Sequence, residues 1–273
     1  MPELPEVELM CRALHRWCAG RELLGLDVLD EKLLPAQDLR GQRVSRVERR
    51  AKLALLFIDA QVLVLHFRMT GGVCALPSPE ARPPHARLRL RLGGPGSSGE
   101  GPPAVALVDP RRFATARLLP EEELPALLAG FGPEPWPEPR DGAWWAARLA
   151  GLRGPLKPAL LHQERVAGIG NILASECLFL ARIDPRTPVP SLQPAQWEAF
   201  AAVVGPFIDA VLEAEQRSFD DESGIAYVNT GGPNPFAVYG REGQPCPRCG
   251  APLQRIVQAG RGTWLCEGCV GSI

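Results

Sequence analysis

The sequence has little net charge, few lysines and no long apolar run. Its 30 basic and 31 acidic residues give a formal net charge of −1, so the total charge does not indicate an anionic partner. Only three of the basic residues are lysines, Lys32, Lys52 and Lys157, and this scarcity makes each of them a candidate for a specific role. A run of the roughly 18 apolar residues that a membrane-spanning helix needs is also missing.

The amino-terminal residues also lack the basic segment and the apolar segment that together form a secretory signal peptide. We therefore expect a cytoplasmic protein that makes no contact with a membrane. The 273 residues, of which 45% are hydrophobic and 22% charged, are enough for a well-packed globular core.

The positive charges are clustered although their sum is balanced. Six basic residues and a single acid, Glu48, lie between positions 40 and 52, and four arginines lie in the last forty residues. Such a run is more often a solvated surface than a binding site. The same asymmetry is also typical of a surface that binds nucleic acid.

The first half of the chain has the pattern of a β-sandwich with one helix. Helical spacing of apolar residues predicts an amphipathic helix over 7–17. Alternation of arginine and leucine from 87 to 92 predicts a strand with one wet, basic face. The Gly-, Pro- and Ser-rich residues 93–103 predict an exposed hairpin loop. Predicted strands cover 25–29, 43–48, 53–59, 61–67, 86–92 and 104–109.

The second half is helical. Six prolines between positions 119 and 144 predict a linker. The polar, Gly- and Pro-rich residues 218–235 predict a long loop. Predicted helices cover 143–150, 158–163, 172–181 and 194–216.

The eight cysteines divide into two groups. Two C-x2-C pairs near the carboxyl terminus have the spacing of a tetrahedral structural zinc site, with a β-hairpin between them. Four thiolates leave no open coordination position, so we expect a structural ion rather than a catalytic one. The predicted zinc ligands are Cys246, Cys249, Cys266 and Cys269. The scattered Cys11, Cys18, Cys74 and Cys177 are expected to be reduced, buried thiols.

The chain begins with Met1 followed by Pro2 and Glu3. A small second residue permits removal of the initiator methionine, which would expose the secondary amine of Pro2. An α-amino group has a pKa near 8, so a sizeable fraction is neutral and nucleophilic at pH 7. Attack on a carbon electrophile would form an iminium ion, with Glu3 as general acid and base. Most Met-Pro starts have no such role.

Residues 166–171, Val-Ala-Gly-Ile-Gly-Asn, precede the predicted helix at 172. A glycine-rich turn before a helix exposes backbone N–H groups that suit a phosphate. A plain tight turn between two helices is the equally weighted alternative.

Taken together, these segments resemble the formamidopyrimidine-DNA glycosylase family, which is related to endonuclease VIII. The similar segments occur in the order of the family and span almost the whole chain. They are Met1–Glu8, Arg49–Lys52, His66–Gly71, Asp109–Phe113, Gly168–Glu176 and Val238–Cys246 with the four cysteines.

The resemblance implies an α+β fold. An amino-terminal β-sandwich flanked by helices (1–132) would be followed by a helix-two-turns-helix domain (133–237) and a β-hairpin zinc finger (238–273). The expected partner is double-stranded DNA containing an oxidised base or an abasic site. The expected protein is a monomer that works at the bacterial nucleoid and uses one zinc ion as its only cofactor.

The resemblance also implies roles for individual residues. Pro2 would attack the sugar C1′, Glu3 would transfer protons, and Lys52 would bind phosphate and assist elimination. Met69, Arg111 and Phe113 would fill the space left by the everted nucleotide. Backbone contacts are expected from His85, Asn171, Arg153 and Arg261, the last at the finger tip beside the lesion.

Two segments depart from the family pattern. Residues 220–236 do not resemble the stretch that covers the damaged base, although Tyr227 or Phe236 could stack on that base. Ala114 stands where the family has glycine. Leu4 favours a purine-specific enzyme over an endonuclease VIII-like enzyme for oxidised pyrimidines, which remains the alternative. A catalytically inactive DNA-damage binding module is a second alternative, against which the presence of Pro2, Glu3 and Lys52 argues.

Overall fold

A computed structural model describes residues 2–33, 38–95, 101–219, 225–226 and 236–270. These residues form two compact units, one of Met1–Ala129 with Leu212–Pro233 and one of Gly130–Val211 with Asn234–Ile273. The three domain boundaries expected from the sequence remain a prediction.

Helix α1 (Leu4–Cys18) opens the first unit. It begins with a capping box, in which the Glu3 carboxylate accepts from the N–H of Glu6 and the Glu6 carboxylate accepts from the N–H of Glu3. The predicted apolar face is buried, with Val7, Met10, Cys11 and Leu14 all at most 4% exposed.

Two antiparallel sheets follow, as the sequence predicted. The first has the order β1-β6-β7-β5-β9 and the second the order β2-β3-β4-β8. The first comprises β1 (Glu22–Val28), β5 (Gly72–Leu76), β6 (Ala86–Gly93), β7 (Ala104–Val108) and β9 (Ile225–Ala226). The second comprises β2 (Val44–Arg50), β3 (Leu53–Ile58), β4 (Gln61–His66) and β8 (Thr115–Pro120).

One hydrophobic core joins α1 to both sheets. Met10 and Leu14 of α1 share it with Leu90 of β6, Leu56 of β3 and Leu63 of β4. Burial of these side chains provides the main stabilisation of the sandwich.

The predicted wet, basic face of β6 needs correction. Leu88, Leu90 and Leu92 are buried as expected. On the other face, Arg89 and Arg91 are only partly exposed, and their guanidinium groups lie 2.8 and 3.2 Å from the Asp27 carboxylate on β1. Cross-strand ion pairing therefore neutralises much of the charge on this face.

The proline-rich segment 119–144 is more structured than a linker. It contains the end of β8, a 3-10 turn (Glu121–Glu123), helix α2 (Leu124–Leu128) and the start of α3 (Gly142–Leu149). Leu119 and Leu124 are buried, so apolar packing fixes part of a segment that prolines alone would leave irregular.

The second unit contains helices and a β-hairpin. Helices α4 (Leu156–Leu160) and α5 (Asn171–Leu180) flank the glycine-rich turn. Helix α6 (Pro194–Phe219), the longest helix of the described residues, begins in this unit, and its residues from Leu212 onward belong to the first. The hairpin consists of β10 (Gln254–Gln258) and β11 (Arg261–Leu265).

Helix α6 corrects the expectation that no apolar stretch approaches the length of a membrane span. Its residues Pro194–Gln216 are long and apolar enough for one by length and composition. Core helices pass the same test, and Phe200, Val204 and Ile208 of α6 are at most 1% exposed.

Candidate functional site

The amino-terminal Pro2 and Glu3 are buried at the start of α1. Glu3 is 1% exposed, and the capping box fixes both its carboxylate and its backbone N–H. The distance from Glu3 N to Glu6 Oε2 is 2.8 Å. The Glu3 carboxylate is therefore held in one position, one residue after Pro2.

Glu6 is a residue of this site that the sequence analysis missed. Burial, followed by the negative charge of Glu3, raises the pKa of Glu6 to about 7. The spacing of Glu3 and Glu6 is that of a capping box, but Glu3 is not one of the usual N-cap residues, so the sequence carried only a weak signal for Glu6.

Lys52 lies in the tight turn between β2 and β3, directly after Ala51, whose φ of 54° is in the left-handed region. Arg49 holds this turn by donating to the Ala51 carbonyl at 3.0 Å and to Glu8 at 2.9 Å. His66 lies close by. Burial, together with the charges of Arg68 and Lys52, lowers the pKa of His66 to about 4.

The basic run at 40–52 is not a continuous positive surface. Several of its arginines are neutralised by carboxylates. The pairs are Arg40 with Asp38 at 2.6 Å, Arg46 with Glu48 at 2.6 Å and Arg49 with Glu8 at 2.9 Å. The first two pairs are exposed and reduce the net charge of the run, whereas the largely buried Arg49–Glu8 pair connects β2 to α1.

The three predicted wedge residues lie on two loops of the first unit. Met69 is 42% exposed and Phe113 is 48% exposed, although residues of these types are ordinarily found in a core. The Arg111 guanidinium lies 4.7 Å from the centre of the Phe113 ring. The neighbouring Arg112 instead pairs with Asp30 at 2.7 and 2.8 Å, so the two arginines make different contacts.

The four cysteines of the second unit form one cluster, with all four sulfur atoms within 4.8 Å of one another. Cys246 Sγ lies 3.8 Å from Cys269 Sγ, and Cys249 Sγ lies 3.4 Å from Cys266 Sγ. Tetrahedral zinc with bonds of about 2.3 Å requires sulfur separations of about 3.8 Å. The cluster is therefore positioned to hold one structural zinc ion.

The finger presents Arg261 at the tip of its hairpin. The turn residues Ala259 and Gly260 both have positive φ, 46° and 73°, as in a type I′ turn. Arg261 follows them, is exposed, and pairs across the hairpin with Gln258. The predicted hairpin and the predicted place of Arg261 on it are both confirmed.

Buried Lys157 ties the finger to the helices, whereas the scarcity of lysine indicated only some specific role for it. Lys157 is 0% exposed and donates to Asn171 Oδ1, to the Gly262 carbonyl at 2.9 Å and to Thr263 Oγ1 at 2.8 Å. Asn171 also donates to the Gly262 carbonyl at 3.0 Å. Both side chains thus anchor the residue next to Arg261.

The glycine-rich turn is buried and internally bonded. Gly168 donates to Gln163 Oε1 at 3.0 Å, so this N–H is already used within the protein. Asn171 is the first residue of α5 after Gly170. The turn therefore has the features of a tight helix–helix connection at Gly168.

The predicted backbone-contact residue Arg153 is exposed in the loop before α4.

Comparison with known proteins agrees with these features. Three family models match in order: the formamidopyrimidine-DNA glycosylase N-terminal domain at 1–116, its H2TH domain at 131–223, and a zinc finger found in FPG and IleRS at 243–270. The formamidopyrimidine-DNA glycosylase of Chloroflexus aurantiacus is 37% identical over 280 residues, which cover 98% of this chain and 97% of that protein. The enzyme of that name from Gloeobacter violaceus is 37% identical over 288 residues, with coverage of 98% and 97%. The chain belongs to the formamidopyrimidine-DNA glycosylase family.

Solved structures of the family share this fold. The Lactococcus lactis enzyme in complex with abasic-site DNA matches with a TM-score of 0.85 and 29% identity, covering 99% of this chain and 100% of that one. Another structure of the L. lactis enzyme, in complex with DNA containing an oxidised pyrimidine, matches with a TM-score of 0.84. The expected fold class, an α+β protein with a β-sandwich, a helical domain and a finger, is confirmed.

The two departures from the family pattern are Ala114 and the 220–236 loop, and the structure describes the first fully and the second only at a few residues. Ala114 is buried and donates its N–H to Asp109 Oδ2 at 2.7 Å. Most of the 220–236 loop, Tyr227 included, lies outside the described residues. Its described parts are strand β9, which pairs with β5, and Phe236, whose ring lies 6.2 Å from that of Tyr239.

The predicted site residues divide between the two units. The first unit holds the proposed chemical and wedge residues Pro2, Glu3, Lys52, Met69, His85, Arg111 and Phe113. The second holds Arg153, Asn171, Arg261 and the four cysteines.

Proposed function

We propose that this protein is a bifunctional DNA glycosylase of base excision repair that removes oxidised purines from duplex DNA. The observation that carries the proposal is the arrangement of buried Pro2 and Glu3, locked by Glu6 at the start of α1. Family membership supports the reaction class, and the burial of these residues supports their assignment as the reacting groups.

In the proposed mechanism the neutral Pro2 nitrogen attacks C1′ of the damaged nucleotide, and the bond from C1′ to the base breaks. Glu3 transfers protons in this step and in the steps that follow. The proline nitrogen then loses its proton and the C1′–O4′ bond breaks as O4′ is protonated, which opens the sugar ring and gives the iminium ion. This ion acidifies the C2′ proton, so loss of that proton breaks the C3′–O bond with the phosphate as the leaving group. A second elimination breaks the C5′–O bond, and Lys52 assists by binding phosphate.

The remaining residues position DNA. Met69, Arg111 and Phe113 would occupy the space of the everted nucleotide, and His85, Arg153, Asn171 and Arg261 would hold the backbone. The zinc finger would carry Arg261 on a rigid hairpin. We also propose a cytoplasmic location at the nucleoid and the three-domain division given by the sequence.

A cleavage panel tests this proposal. We expect faster base release from duplexes containing 8-oxoguanine or formamidopyrimidines than from duplexes containing oxidised pyrimidines. A duplex with a preformed abasic site serves as the control that reports elimination alone.

Preferred release of oxidised pyrimidines would favour the endonuclease VIII-like alternative, for which the oxidised-pyrimidine complex of the L. lactis relative provides a precedent. Specific binding of damaged duplexes without base release or strand cleavage would instead identify a binding module.

A further inference from the structure

The carboxylate of Asp109 lies where loops of the first unit meet. Asp109 follows β7 and is 0% exposed. Its Oδ1 accepts from Thr70 Oγ1 and from the N–H of Arg111 at 3.2 Å. Its Oδ2 accepts from the N–H groups of Phe113 and Ala114, both at 2.7 Å. A carboxylate has about four acceptor sites, so these four donors saturate it.

The backbone of Asp109 extends this cluster to a third loop. Its N–H donates to the His85 carbonyl at 3.0 Å, and its carbonyl accepts from Arg87 Nε at 2.8 Å. Asp109 therefore contacts His85, Arg111 and Thr70 directly. Thr70 is the residue that follows Met69.

The two wedge loops share a second feature. Arg68 precedes Met69 with a φ of 56°, and Arg112 precedes Phe113 with a φ of 57°. Residues with a side chain rarely adopt this left-handed conformation, so surrounding contacts must fix it. The hydrogen bonds to Asp109 are contacts of that kind on both loops.

We propose that Asp109 and Thr70 form a positioning pair that sets the spacing of Met69 relative to Arg111 and Phe113. The inference rests on the proposed function, because it takes these three side chains to fill the space left by an everted nucleotide. Side chains on two separate loops can enter one gap together only if the loops are held in a fixed relation. The bond from Thr70 to Asp109 provides that relation.

The charge of Asp109 agrees with this arrangement. Burial raises its pKa, but the hydrogen bonds from Thr70 and from the backbone of Ala114, Phe113 and Arg111 outweigh burial and hold the pKa below its ordinary value. The group is thus an ionised acceptor with every donor aligned on it.

The consequence is specific to duplex DNA. Only a duplex has a stacked partner strand and an orphaned base that the wedge must hold apart. In single-stranded DNA the nucleotide is already unstacked, so the chemistry at Pro2 and Glu3 proceeds without the wedge.

The test compares strand cleavage at an abasic site in a duplex with cleavage at the same site in a single strand. Thr70→Val removes the hydroxyl at nearly constant volume, and Thr70→Ser is the matched variant that keeps it. We expect Thr70→Val to slow duplex cleavage about tenfold or more, the effect of losing one hydrogen bond to a charged group. Single-strand cleavage should remain near the wild-type rate, and Thr70→Ser should restore duplex cleavage.

Thermal unfolding and the variant Asp109→Asn distinguish a positioning role from a general folding role. Asp109→Asn replaces one acceptor oxygen with an NH2 group and so weakens the hydrogen bonds that converge on this side chain. It should show the same preferential loss of cleavage on duplex DNA. Equal losses on duplex and single strand in both variants, with a lowered Tm, would overturn the inference in favour of a general folding role. Unchanged duplex cleavage in Thr70→Val would also overturn it. Failure of the wild type to cleave any abasic site would instead refute the proposed function.

Discussion

Three buried acids of the first unit show three ways in which a protein accommodates a carboxyl group. Asp109 is ionised and surrounded by hydrogen-bond donors. Asp30 is paired with Arg112, whose hydrogen bond is the largest cause that lowers the pKa of Asp30 to about 2. Glu6 has Glu3 as a neighbour, and its pKa is raised instead. Only Glu6 is expected to gain or lose its proton near neutral pH.

This difference predicts a pH dependence of stability at Glu6. The folded-state pKa is raised from 4.5 to about 7, so the contribution of Glu6 is fully present below pH 4.5 and is lost as the pH rises to 7. Glu6→Gln keeps an acceptor for the Glu3 N–H and does not titrate. The stability of the variant relative to wild type should therefore rise by roughly 2.5 kcal/mol between pH 5 and pH 8.

Urea unfolding at several pH values measures this difference. The exposed Glu22→Gln is the control and should follow the wild-type pH dependence. A Glu6→Gln difference that stays constant between pH 5 and pH 8 would show that Glu6 is ionised throughout.

Single residues also show which roles can be predicted from the sequence and which cannot. The placement of Met69 and Phe113 in recognisable motifs predicted a role outside the core, and both side chains are exposed. Lys157 drew notice only because lysine is scarce. Its partners Asn171 and Thr263 lie 14 and 106 positions away, and only the fold brings them together.

At the scale of elements, strong patterns were predicted well and weak ones were missed. Six strands with β-branched or alternating sequences were placed to within a few residues. Strands β5 and β8 escaped because Gly-Val-Cys-Ala-Leu is short and β8 ends in a proline. Their register on neighbouring strands, rather than local propensity, makes them strands.

The junction between the helices and the finger depends on Lys157. Lys157→Met preserves much of the apolar stem but removes the ammonium donor from Thr263 Oγ1 and Asn171 Oδ1, and leaves the Gly262 carbonyl with Asn171 as its donor. We expect a loss of about 2–4 kcal/mol in unfolding free energy, because buried acceptors lose a charged partner. DNA affinity should fall as well, since Arg261 directly precedes the affected residues Gly262 and Thr263 in β11.

Denaturant unfolding and a DNA-binding titration measure these effects. Lys32→Met, which removes an exposed lysine, is the matched control and should change neither quantity by much. An unaltered stability of Lys157→Met would show that the buried ammonium does not anchor the hairpin.

The finger itself depends on metal. Phe179 of α5 packs with Val238, Leu253 and the cysteines in one small cluster, which is too small to stabilise the finger alone. Chelation of zinc or replacement of Cys246 by serine should therefore unfold the finger and remove much of the DNA affinity. Metal analysis before and after chelation provides the measurement. Full affinity in protein shown to be free of zinc would contradict this prediction.

At the scale of the whole molecule, ion pairs within the protein reduce the positive charge that is available to bind DNA. Several arginines of the 40–52 run are bound to carboxylates. DNA affinity should still fall with salt, because each phosphate contact releases condensed counterions. Arg261→Ala should reduce the slope of log affinity against log salt by about one. Arg40→Ala, which removes an arginine paired with Asp38, is the control and should leave the slope near its wild-type value.

A wild-type slope near zero would refute a DNA grip built from phosphate contacts. A reduction with Arg40→Ala equal to that with Arg261→Ala would show that general charge, rather than a finger contact, determines affinity.

Borohydride trapping tests the central claim most directly. The enzyme is incubated with an 8-oxoguanine duplex, any iminium is reduced, and the covalent complex is mapped by peptide mass spectrometry. We expect a complex that begins at Pro2 without Met1 and carries the sugar on the proline nitrogen. Pro2→Gly should lose most base excision while it still binds the duplex. An adduct at a lysine, or active enzyme that retains Met1, would contradict the claim, because a blocked nitrogen cannot form the iminium ion.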